Sequence, residues 1–80
     1  MSTADNYLRD VLPEILSRAI EARRDAGVTP SGTPESDFSA GRRTAYYEVV
    51  SMMLGQLEAF GIPREAVRIP EGFDAERELL

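Results

Sequence analysis

The chain has 80 residues, enough for one small domain and close to the size at which a single core is marginal. It has neither cysteine nor histidine, which removes disulfides, thiolate metal sites, the commonest zinc ligand and the commonest general base; association remains as the usual support of so small a domain. A net charge of −5 opposes general nucleic-acid binding, which needs a basic footprint to displace counterions from phosphates.

The first predicted helix spans about residues 4–26, with Ser2 or Thr3 as its cap and Gly27 as its stop. Leu8, Val11, Leu12, Ile15, Leu16, Ala19 and Ile20 recur at three- and four-residue spacing and form one apolar face. Asp10, Glu14, Ser17, Glu21 and Arg24 lie opposite, and Glu14 with Arg18 is an i,i+4 pair in the favourable order. Pro13 interrupts the hydrogen-bond ladder, at a cost of about 3 kcal/mol. The apolar periodicity passes through it in phase, which predicts one helix kinked near Arg9–Pro13; the alternative is a short turn and a helix that starts at Pro13.

Residues 27–36 read as a loop, because Thr29-Pro30-Ser31-Gly32-Thr33-Pro34 is made of turn and breaker residues. Val28 and Phe38 are expected to tuck under its ends. Ser31-Gly32-Thr33 lacks the glycine spacing and the lysine of a phosphate-binding loop.

The second predicted helix spans about residues 37–60. It opens with Ser36-Asp37-Phe38-Ser39 and closes with Gly61-Ile62-Pro63, where glycine takes the left-handed conformation and proline forbids continuation. Tyr46, Val50, Met53, Leu57 and Phe60 form a front stripe expected to pack on the first helix. The apolar arc is wider than one neighbour can cover, and the chain offers no second long helix. The expected architecture is therefore all-α: an antiparallel two-helix hairpin that dimerises into a four-helix-bundle-like assembly. Val49, Met52, Ser51, Gly55 and Ala59 are the candidate dimer interface; the last three make a stripe of small residues that permits close approach.

Residues 61–80 read as a partly helical tail. Pro63 to Val67 suits one helical turn, Arg68-Ile69-Pro70 an extended stretch, and Asp74 caps a final turn. Val67, Ile69, Phe73, Leu79 and Leu80 give the tail enough apolar surface to dock across the helical pair.

No catalytic constellation emerges. A serine or tyrosine nucleophile has only carboxylates for a base, and Tyr46, Tyr47 and Glu48 point in different directions on a helix. No metal, cofactor or enzymatic activity is expected. Gly41, Arg42 and Arg43 break local rules: glycine weakens the first turns of the second helix, and cations oppose the positive end of its dipole. In an antiparallel hairpin Arg23 and Arg24 lie at the same end, giving a candidate anion- or partner-binding cluster; the favoured alternative is that these arginines pair with Asp25, Glu35 and Asp37 or with tail acids of a partner chain.

The expected function is non-enzymatic: a small acidic homodimer that contacts another protein in an adaptor, immunity or antitoxin-like role. The alternative is an accessory protein that binds a small anionic ligand at the arginine cluster. No membrane span or basic, apolar leader is visible, and all nine cations are arginine, as in GC-rich genomes, so a bacterial cytoplasmic protein is expected.

Overall fold

The first helix begins where a serine and an aspartate three residues later cap each other. In the computed structural model, which describes residues 2–80, the Asp5 amide donates to Ser2 Oγ at 3.1 Å, and the Ser2 amide donates to the Asp5 carboxylate at 3.3 Å. Helix α1 then runs unbroken over Thr3–Val28, through Pro13. The continuous apolar face overrides the proline: Leu12, Leu16, Ala19 and Ala22 are buried along it, while the acids opposite face water.

Gly27 does not stop α1. The stop comes at Thr29, in an extended conformation (φ −78°, ψ 130°), because the next residue is Pro30 and the position before a proline avoids the helical region. The connection is only Thr29 to Thr33, shorter than expected, and it carries its own hydrogen bonds. Thr29 Oγ1 donates to the Asp25 carbonyl at 2.7 Å and lies 3.2 Å from Ser39 Oγ, and Thr33 Oγ1 donates to the Pro30 carbonyl at 2.9 Å.

Helix α2 spans Pro34–Ala59, starting earlier than expected. Thr33 accepts from the Ser36 amide at 3.0 Å, and Pro34, expected to act as a breaker, occupies the first helical position, where its missing N–H costs nothing. The C-terminal stop is as expected. Gly61 has φ 68°, its amide donates to the Glu58 carbonyl at 3.1 Å, and the Ile62 amide donates to the Leu57 carbonyl at 2.8 Å.

The same two-bond closure recurs seven residues on. A 3₁₀ turn over Arg64–Val67 ends at Arg68, which is left-handed (φ 60°, ψ 37°) rather than extended as expected. Its amide donates to Glu65, and the Ile69 amide donates to Arg64. Each left-handed residue is thus followed by an isoleucine turned back onto the helices. Arg64 clips the tail by donating from Nη1 to the carbonyls of Pro70, Glu71 and Phe73 at 3.2, 3.1 and 2.8 Å. Asp74 then caps α3, Ala75–Leu79, by accepting from the Arg77 amide.

The whole is an all-helical hairpin, with no strand among the described residues. The tail docks across one side of it. Leu12, Leu16, Ala19, Val50, Met53 and Leu57 of the hairpin join Val67, Ile69, Phe73 and Leu79 of the tail in one core. Leu80 stays half in water.

Pro13→Ala is expected to raise stability by at least about 1 kcal/mol, a rise of some 4–8 °C in melting temperature, because alanine is the better helix former and supplies an amide to the ladder. Thermal denaturation at fixed protein concentration checks it; an unchanged or lower melting temperature contradicts the account of α1.

Candidate functional site

Two places on the hairpin carry the residues singled out from sequence. One is the loop end, where the arginines were expected to gather. Arg42 turns toward α1: its Nη1 donates to the Asp25 carboxylate at 3.1 Å, and its guanidinium carbon lies 5.6 Å from the centre of the Tyr46 ring. Arg43 is half-buried, and its Nε is enclosed without a hydrogen-bond partner among the described residues. Arg23 and Arg24 are exposed on α1, and Arg24 borders a shallow depression with Ser17, Ile20 and Glu21 on the outer face of that helix. The hairpin end therefore presents one arginine already held by a carboxylate, one turned inward, and two in water. Gly41 is exposed, and a side chain there would meet nothing within 4 Å, so packing within the chain does not require glycine.

Further along the hairpin, Glu14 accepts from Arg18 Nε at 3.1 Å. That hydrogen bond and the carboxylate charge raise the Arg18 pKa above its ordinary value, with a smaller contribution from Tyr46. Among the described residues no three acidic side chains gather closely enough to hold a metal ion.

The second place is the open end, away from the loop. Leu8, Leu12 and Ile15 of α1 face Met53, Leu57 and Ile62 across an apolar groove of about 310 Å³. Val49, Met52, Gln56 and Phe60 form its α2 lip. Nothing covers the lip: Val49 is 43%, Met52 59% and Phe60 75% exposed. Phe60 therefore does not pack on α1 as the front stripe predicted. It is the cap residue of α2, where the chain leaves the helix axis toward the tail. Val28 and Phe38 do not tuck under the loop either, because the five-residue connection passes without covering them; they are 77% and 72% exposed.

The expected interface residues divide into two groups. Val49 and Met52 border the groove, while Ser51 and Gly55 border a shallow crevice against Asp74, Ala75 and Glu76 of the tail. Ala59 is exposed. A side chain at Gly55 would meet nothing within 4 Å, so no close approach inside the chain accounts for it. Sequence reasoning did not single out Leu8, Gln56 or Ile62 as part of a surface site. The apolar periodicity was the available signal, but periodicity does not say which side the tail will cover.

No helix among the described residues is long and apolar enough to cross a membrane. Compared with family models, with curated proteins and with solved structures, the chain matches none.

Arg42→Ala removes an exposed ion pair and an aromatic contact together, and is expected to cost about 1 kcal/mol; Arg24→Ala is expected to stay within about 0.5 kcal/mol of the parent. Urea denaturation of the two variants side by side checks this, and equal losses contradict the distinct roles assigned to them.

Proposed function

We propose that this protein works by binding other polypeptide surfaces rather than by chemistry, with a second copy of itself as the first of them. The observation that carries this is the uncovered apolar groove with its exposed lip at Val49, Met52 and Phe60. Contiguous apolar surface of this kind marks interaction sites in proteins that fold correctly. Two methionines in the walls suit such a surface, since their unbranched side chains adapt to what they meet. An adaptor, immunity or antitoxin-like role in a bacterial cytoplasm fits the size of the assembly, and the net charge of −5 favours a basic further partner.

Sedimentation at micromolar concentration is expected to give roughly twice the 8.9 kDa chain mass. Val49→Glu with Met52→Glu is expected to return it to the single-chain mass with helix content unchanged, because both positions are exposed in the isolated chain. A parent protein that sediments at the single-chain mass overturns the self-association.

The second reading is an anion site at Gly41, Arg42 and Arg43. The enclosed Arg43 Nε favours it, and the commitment of Arg42 to Asp25 opposes it. Under the main reading, phosphate, nucleotides and small carboxylates leave the melting temperature unchanged. A rise that disappears in Arg42→Ala with Arg43→Ala supports the anion site instead.

A further inference from the structure

The uncovered flank of α2 has a spacing that the hairpin itself does not use. Phe38, Arg42, Ala45, Val49, Met52, Gln56 and Ala59 follow one another at intervals of four and three residues, the period of a helix-pairing seam. All of them except half-buried Arg42 are exposed, and Arg42 is the one charge among them. Two apolar irregularities, a projection and a recess, lie at opposite ends. Phe38 projects at the loop end, and the apolar groove opens beside Phe60 and Ile62, about 33 Å further along at roughly 1.5 Å per residue.

Resting on the self-association proposed above, we propose that the second copy lies antiparallel along α2 and seats its Phe38 at the groove end formed by Leu8, Phe60 and Ile62. The projection and the recess both belong to one chain, which is the condition for a two-fold contact made twice over. Antiparallel alignment brings each Phe38 to the other copy's groove. Parallel alignment sets Phe38 against Phe38 and leaves both grooves open.

Charge selects the same direction. A parallel pair places Arg42 against Arg42 within the seam. The antiparallel register that brings Phe38 level with Ile62 and keeps the seam positions opposed centres between Val50 and Ser51. It sets Val49 against Met52, Ala45 against Gln56, and Arg42 against Ala59 beside Glu58.

The surface area is of the right size. The chain exposes 5448 Å², against about 4,800 Å² for a compact monomer of its mass. The surplus of about 600 Å² approaches the roughly 800 Å² that each partner of a stable pair contributes. The radius of gyration, 14.1 Å against about 11.6 Å for a globular chain of this length, reflects the 47 Å length of the hairpin along which a second copy can lie.

The chain has no cysteine, so single cysteines report the alignment directly. Ala45→Cys and Gln56→Cys are prepared separately, then mixed, equilibrated and oxidised. Neither is expected to cross-link alone, because like positions lie about 16 Å apart along the antiparallel pair at roughly 1.5 Å per residue. The mixture is expected to give a disulfide between position 45 of one copy and position 56 of the other, identified by peptide mass. Cross-linking of either variant alone shows a parallel pair and overturns the proposal while leaving self-association standing. Reduced variants that sediment as dimers but form no disulfide in any mixture place the interface elsewhere, which likewise overturns the antiparallel seating and leaves self-association standing. Reduced variants and parent at the single-chain mass remove both readings. Phe38→Asp tests the seat: association weakened at least tenfold with helix content unchanged supports it, and association as in the parent overturns it.

Discussion

Two helices can cover each other along only one stripe, and everything else in this fold follows from how the remaining apolar surface is handled. Ala19 and Ala22 of α1 and Val50 of α2 are almost wholly buried where the helices meet. The chain has one further segment to offer, the tail, and it covers one side of the pair with Val67, Ile69, Phe73 and Leu79. The other side keeps a groove about 310 Å³ in volume and an exposed lip on α2. The protein is therefore complete on one side and open on the other, and its proposed function lies on the open side.

The polar groups are arranged to free the core from them. No polar or charged residue is buried among the described residues. Serine, threonine and aspartate side chains cap the three α-helices, and the two left-handed closures at Gly61 and Arg68 satisfy the carbonyls where α2 and the 3₁₀ turn end. Arg64 then gathers three carbonyls of the tail that no helix would satisfy. Such a tail can be irregular and still dock. What it cannot do is lie on both sides of a hairpin 47 Å long.

Most of this framework was legible in the residues. The in-phase apolar face carried α1 through Pro13, Gly61-Ile62-Pro63 marked the end of α2, and Ser2 and Asp74 were readable as caps. Boundaries went astray where two local signals competed. Gly27 tolerates a helix and Pro30 forbids one at Thr29, so the proline decided. Pro34 breaks a helix interior but suits a helix start, and the threonine before it decided. Arg68 took a left-handed conformation that its own Cβ disfavours, and Ile69 gains a buried position from it. The site was less legible for a different reason. Apolar spacing marked Val49, Met52, Phe60 and Phe38 as residues that need cover, but cover depends on the tail's path, which is tertiary. At the loop end the sequence offered both an arginine cluster and its pairing with nearby acids, and Arg42 pairs with Asp25.

The central claim is that the open flank of α2 is completed by association, so that folding and pairing are linked. Thermal unfolding followed over a roughly hundredfold dilution tests this most directly, because a melting temperature set partly by pairing depends on protein concentration. The account predicts that the melting temperature falls steadily with dilution. A melting temperature that stays constant, with one sharp transition at every concentration, contradicts it and leaves the hairpin and its docked tail as a self-sufficient monomer.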